Sequence, residues 1–358
     1  MRLFLNRKHL AWNLLSLFFL LGVVLFYSFL VSSNETIVDA RNYFYYYNDI
    51  LDNGFISSAW KNYDGSGKFE PVILVFYKLY AILFGSLVHT DKFYWFVFYN
   101  YVVIGLLTVC IISLFSKMFV PSKKHMAIFF SILLSFFWFP SYLNMLWLWR
   151  ADIAYTFALL SLFLFLSGRL YYSAFFSIAA TLTHYSSFPI IAVILFFHIF
   201  VFHFKNGSSG VKALVVVVFS ICISFLYVFI KQYVSSGSAK WGGDYYLRYI
   251  ILLYFFFGVV VYYLMLSSLR SSFSNYLYSF LFSILMFFLF SLIVSILGAR
   301  NYQDSFRIMH FSYLSFCIFF PILMMLSNIC MKIISSTYLL IGVMAAFYLF
   351  SGFYISLG

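Results

Sequence analysis

Along this chain, long apolar runs are separated by short polar breaks. Runs such as LLSLFFLLGVVLFYSFLV are apolar at consecutive positions, without the alternation of a membrane β-strand. They reach about 17–25 residues, the length that crosses a bilayer as a helix. In lipid a backbone must satisfy its own hydrogen bonds, so helix is the expected element. The pattern predicts segments at 10–31, 70–88, 93–115, 126–148, 151–167, 170–184, 187–204, 211–230, 248–268, 274–298, 308–329 and 333–357. It implies an all-α fold: a polytopic integral membrane helical bundle of about 11–12 hydrophobic segments, forming a single domain over residues 1–358. Turns are expected at Ser167-Gly168-Arg169 and in KNGSSGVK at 205–212, with weaker breaks in RADIAYTFALL and LTHYSSFP.

Composition agrees with a membrane chain. The 358 residues are 65% hydrophobic and 9% charged, leaving too little polar surface for a water-soluble core. The first run follows Arg2, Arg7 and Lys8 and has no A-x-A site, so it reads as an uncleaved first helix. Four cysteines lie scattered in apolar runs without C-x-x-C spacing, which fits small apolar packers better than a disulfide or metal set. The net charge of +12 has no basic domain to carry nucleic acid, and membrane orientation accounts for it better.

Charge also constrains topology. If every segment crosses, SKMFVPSKKH and KNGSSGVK lie opposite the basic N-terminus, against the positive-inside tendency. If one segment before residue 116 enters and leaves on one side, the conflict disappears. Arg2, Arg7, Lys8, Lys117, Lys123, Lys124, Arg169, Lys205, Lys212, Arg270 and Lys332 then share the cytoplasmic face, and the ten acids share the other. The best candidate for that segment is 70–88, which opens with Glu70-Pro71 and carries Lys78 at its middle. It is either a re-entrant or tilted helix, or a full crossing with a snorkelling lysine. Residues 32–69 become an extracytoplasmic loop. Four of the ten acids, Glu35, Asp39, Asp49 and Asp52, fall in it, around Arg41 and a tyrosine cluster that includes Tyr43 and Tyr47.

Other polar residues map to the same face. Arg150, between two segments, is either an interface anchor, with a cation–π contact open to Trp147, or a bidentate grip on phosphate. Arg300 and Arg307, two turns apart, are either salt-linked through Asp304 or oriented by it toward an anion. His184 is either a packed histidine bonded to Ser186 or Ser187, or a general base. Glu70 is either a helix-start carboxylate or an acid–base group in a crowded cleft. Asp39 and Arg41 could meet polar groups of a ligand, and the tyrosines could stack on sugar rings or mark the interface. No His spacing suggests zinc.

The ordered blocks DARNYFYYYND, FEPVILVFYKLY, LWRADIAYTFALLSLFLF and TLTHYSSFPIIAVILF, with a weaker SFRIMHFSYLSF, resemble the EpsG family of polysaccharide polymerases, relatives of the Wzy O-antigen polymerases. The resemblance covers roughly residues 35–205. It aligns Asp39 and Tyr43, Glu70 and Pro71, Arg150, His184 and Ser186, and Arg307, with Arg300 less securely placed. Ala151 departs from the Arg-Gln the family often carries. The resemblance implies a glycosyltransferase C-like bundle in the bacterial cytoplasmic membrane, with an extracytoplasmic active cleft. Its implied activity is polymerisation of undecaprenyl-pyrophosphate-linked repeat units into surface polysaccharide. His184 and then Glu70 would act as base, and Arg150, Arg300 and Arg307 would hold pyrophosphate, with Asp39, Arg41, Tyr43 and Tyr47 around the sugars. No cofactor is implied, polyprenyl pyrophosphate being the substrate carrier. Expected partners are lipid-linked glycans, membrane lipids, and a flippase and chain-length regulator. The rival functions are a polysaccharide ligase or other lipid-linked glycosyltransferase, and a flippase or transporter. A transporter would need polar groups through the membrane depth, whereas here Lys78 is the only charged side chain clearly inside a segment, with Tyr and Ser left to line any pathway.

Overall fold

Apolar runs that must satisfy their own backbone groups coil into helices, and among the described residues there is no strand. The computed structural model describes residues 2–33, 38–58, 70–84, 92–138, 149–184, 187–203, 209–234, 245–267, 269, 274–297 and 302–355. The α-helices are α1 (Arg2–Ser33), α2 (Val38–Asn53), α3 (Pro71–Phe84), α4 (Lys92–Phe119), α5 (Lys124–Phe137), α6 (Trp149–Leu166) and α7 (Leu170–Thr183). They continue with α8 (Ser187–His203), α9 (Ser209–Val234), α10 (Tyr245–Ser267), α11 (Ser274–Leu297), α12 (Tyr302–Leu326) and α13 (Ile329–Ile355). Among the described residues, six stretches are long and apolar enough to span a bilayer: His9–Ser33, Lys92–Phe119, Trp149–Leu166, Ile250–Ser267, Met309–Leu326 and Ile329–Tyr348. The chain is an all-α, multi-pass membrane protein. Helix α1 illustrates why, with Leu10, Leu14, Leu17, Leu21 and Leu25 exposed while Val23, Val24, Tyr27 and Val31 are buried. A helix apolar on both its buried and its outward side suits a lipid surround.

The chain divides into two compact units, Met1–Ile132 with Leu143–Ile191 and Leu133–Tyr142 with Ala192–Gly358. One expectation changes. The segment expected as a loop at 32–69 carries helix α2. Its many tyrosines and charges lower its hydropathy, but Tyr43, Tyr47 and Ile50 recur at helical spacing and are buried.

In the first unit, side-chain pairs fix the helix directions. Tyr27 meets Tyr101 at 5.3 Å between ring centroids, and Leu20 packs at Gly105, so α1 and α4 are antiparallel. Tyr101 meets Trp149 at 5.3 Å and Phe115 meets Phe163 at 5.5 Å, so α4 and α6 are parallel. Ser33 and Lys92 therefore lie toward the same end, and no net crossing separates them. Helix α3 has 14 residues, about 21 Å of helix and less than a hydrocarbon core. Its Tyr77, Tyr80 and Phe84 all bear on Phe96 or Tyr99, a single turn of α4, so α3 crosses α4 steeply. Lys78 is exposed on α3.

At the opposite end of this unit, His9 and His125 stack at 4.6 Å. His125 Nδ1 donates to Asn13 Oδ1 at 2.6 Å. Lys117, Lys123 and Lys124 belong to this end by sequence, as does Arg169, reached along α6 beyond Phe163.

The second unit is built around α12, which packs on α10, α11 and α13 and is almost wholly buried along Met309–Leu326. Pro321 interrupts its backbone ladder without ending the helix. Tyr254 of α10 and Tyr338 of α13 stack at 4.5 Å and 9°. Each hydroxyl donates to the carbonyl of the other tyrosine, at 2.5 and 3.2 Å. Gly258 and Gly342, one turn beyond the two tyrosines, leave room for the opposing hydroxyls, which a Cβ would strike.

Candidate functional site

The site is built from the end of the first unit opposite the histidine pair. Glu70 immediately precedes α3, where Pro71 occupies the first turn without wasting a donor. Arg150 is the second residue of α6. Their backbones are 80 positions apart, yet Arg150 Nη1 donates to Glu70 Oε2 at 2.6 Å. The side chains are 22% and 1% exposed respectively, so this is a largely desolvated ion pair. Arg150 Cζ lies 5.2 Å from the centre of the Tyr43 ring, and Tyr43 packs on Trp149 at 5.5 Å. The cation–π partner is thus Tyr43 of α2. Trp147, the partner open from sequence, lies outside the described residues.

The α6–α7 hairpin brings His184 to this end. Ser167 to Arg169 form the turn, closed by the Arg169 N–H donating to the Leu164 carbonyl at 2.8 Å. Gly168 supplies its positive φ of 74°. Ser161 hydrogen-bonds both Ser173 and Ser177, which sets the register between the two helices. From that level, about eleven residues lead back to Arg150 and about nine lead on to His184, at about 1.5 Å per residue. Arg150 and His184 therefore stand within about one helical turn of each other in height.

His184 is 4% exposed and extended, with its N–H donating to the Ala180 carbonyl at 3.0 Å. The Ser187 hydroxyl is buried and makes no hydrogen bond among the described residues, so it is not the imidazole's partner. Ser186 lies outside them.

The remaining predicted residues divide. Tyr43 and Tyr47 are buried, four apart on the inward face of α2, with Tyr47 against Phe44, Tyr80 and Phe96. Burial pushes the Tyr47 phenol pKa up from its ordinary value, which keeps the hydroxyl protonated. The Tyr43 ring supports the ion pair, and the open aromatic face on α2 belongs to Tyr45, which is 62% exposed. Arg41 is exposed and lies 5.9 Å from the centre of the Phe93 ring. Asp39 starts α2 and Arg307 lies in α12, but their side chains are outside the described set, as is the whole of Arg300. Two residues not singled out from sequence belong to this end. Asp152 is buried in the first turn of α6, and Tyr77 is fully buried on α3. An apolar-run tyrosine and a helix-start aspartate carry no signal of their own in one sequence. Among the described residues, no three His, Cys, Asp or Glu side chains converge on a metal-sized site.

No family model, curated protein or solved structure matches this chain.

Proposed function

We propose that this protein polymerises undecaprenyl-pyrophosphate-linked oligosaccharide repeats into surface polysaccharide at the outer face of the bacterial cytoplasmic membrane. The observation that carries the reading is the Arg150–Glu70 pair, a largely desolvated guanidinium held at one end of a membrane bundle. A buried arginine oriented by a carboxylate is suited to a charged oxygen ligand, because its planar fork is held before the ligand arrives. Glu70 takes Nη1 and Tyr43 also hydrogen-bonds the guanidinium, which leaves Nε–H for substrate.

In the reaction, a hydroxyl of the incoming repeat attacks the anomeric carbon of the growing glycan. The new carbon–oxygen bond forms as the bond to lipid pyrophosphate breaks. The hydroxyl proton passes to the His184 imidazole, and the leaving pyrophosphate takes the electron pair. Arg150 stabilises that developing negative charge. Glu70 acts mainly as the residue that orients Arg150. A glycosyltransferase C-like arrangement, with lipid tail between helices and sugars beneath the α2 region, accommodates this chemistry.

The test is purified protein in nanodiscs supplied with the lipid-linked repeat. A ladder lengthening by whole repeats supports polymerisation. Transfer of finished glycan to a second carrier supports a ligase, and movement of substrate without bond formation supports a transporter. Either of the last two results overturns the proposal.

A further inference from the structure

Two hydrogen-bond donors beside the Arg150–Glu70 pair make no hydrogen bond among the described residues. Arg150 Nε is buried and makes no hydrogen bond among the described residues, while Nη1 donates to Glu70. The Tyr77 hydroxyl is likewise buried and makes none. Tyr77 follows Glu70 by seven residues, two turns of α3, on the face that also buries Ile73 and Leu74. Its hydroxyl is within electrostatic range of Arg150, Glu70, Tyr43 and Tyr46, and its ring is anchored on Phe96 at 5.1 Å. Burying a polar group without a partner is costly, and two such groups around one ion pair are not explained by packing. Nε–H can only donate, and a tyrosine hydroxyl can donate as well. What satisfies both is an acceptor rich in lone pairs.

We infer that Tyr77 and Arg150 form one subsite that binds a phosphoryl oxygen of the polyprenyl-pyrophosphate carrier. This rests on the proposed function and adds to it a binding residue in the middle of an apolar helix. Tyr77 donates its hydroxyl to the oxygen while Arg150 donates Nε–H, and Glu70 keeps the guanidinium from rotating away.

The test compares Tyr77→Phe with Tyr99→Phe in the full chain. The Tyr99 hydroxyl already donates to the Phe76 carbonyl at 3.1 Å, so its loss strips a bond the fold uses. Tyr77→Phe removes a hydroxyl that makes no hydrogen bond among the described residues, and its thermal midpoint is expected to hold or rise. Binding of radiolabelled undecaprenyl pyrophosphate in nanodiscs is expected to weaken about 10- to 100-fold in Tyr77→Phe, the loss of one charge-assisted bond. Competition by inorganic pyrophosphate should weaken in parallel, which assigns the effect to the phosphoryl oxygens and not to the tail. Unchanged binding in Tyr77→Phe, with wild type binding normally, overturns the subsite and leaves the polymerase reading standing. A midpoint that falls as far as that of Tyr99→Phe also overturns it, because the hydroxyl then serves the fold. Wild-type protein that binds neither probe overturns the carrier reading itself.

Discussion

Removing Glu70 should expose how strongly the fold depends on its partner. The two charges are 2.6 Å apart. At an effective dielectric constant of about 20 their attraction is roughly 6 kcal/mol. Desolvation of both groups offsets much of that gain, so the intact pair contributes little net stability compared with an apolar pair of the same shape. Breaking it from one side is different, because Glu70→Ala leaves the Arg150 guanidinium in an apolar setting without its counter-charge. That cost is about 3–5 kcal/mol for a buried pair. Arg150 is 22% exposed, which places the expectation near the lower end, at about 3 kcal/mol. Glu70→Gln keeps an oxygen acceptor and should cost less. The double variant Glu70→Ala/Arg150→Ala should be more stable than the sum of the single losses predicts, with a coupling of about 2–3 kcal/mol. Thermal unfolding in detergent, followed by tryptophan fluorescence, measures all five proteins, the single Arg150→Ala variant and wild type included. Strict additivity, or a Glu70→Ala midpoint within a degree of wild type, would refute the pair as a desolvated contact.

Other expectations follow from separate features. His184→Gln should leave the protein folded and substrate bound while slowing single-turnover polymer formation about 10²- to 10⁴-fold, and near-normal turnover removes His184 as the base. Arg150→Lys keeps a charge but loses the fork and should restore only part of the activity lost in Arg150→Ala, read as polymer yield. Gly258→Ala drives a methyl into the Tyr338 hydroxyl and should cost about 1–3 kcal/mol, partly recovered by adding Tyr338→Phe, with thermal midpoints as the check. Burial, with His9 and Lys124 nearby, holds the His125 pKa below its ordinary value. The unfolded chain then takes up the proton first, so stability should be level above about pH 6.5 and decline as pH falls through the lowered native pKa. His125→Gln should flatten that part of the pH–midpoint curve.

The helices were legible because lipid leaves an apolar backbone few alternatives, and the residues that end α6 and start α7 announce themselves as Ser167-Gly168-Arg169. Helix α2 was less legible, since its tyrosines and charges read as a surface loop until Tyr43, Tyr47 and Ile50 are seen to share a face. The site was legible as a set of residue types but not as a set of contacts. Glu70 and Arg150 are each ordinary helix-start residues, and nothing local says that 80 positions of chain bring them together. Tyr77 was hidden for the opposite reason. A tyrosine within VILVFYKLY looks like core, and only its position between the ion pair and the aromatic layer makes its hydroxyl conspicuous.

The tight reversal between α6 and α7 also limits how this chain can change length. A surface loop usually absorbs an added residue by bulging outward. Here one inserted residue next to Gly168 would turn α7 by about 100° and slide it by about 1.5 Å relative to α6. Ser173 and Ser177 would leave Ser161, and the imidazole of His184 would swing to another side of the hairpin. Additions near a whole turn, three or four residues, would restore the facing side but shift its height by about 5 Å. The reversal therefore works as a ruler between the guanidinium and the imidazole, and insertion scanning should find it far less permissive than its exposure alone suggests.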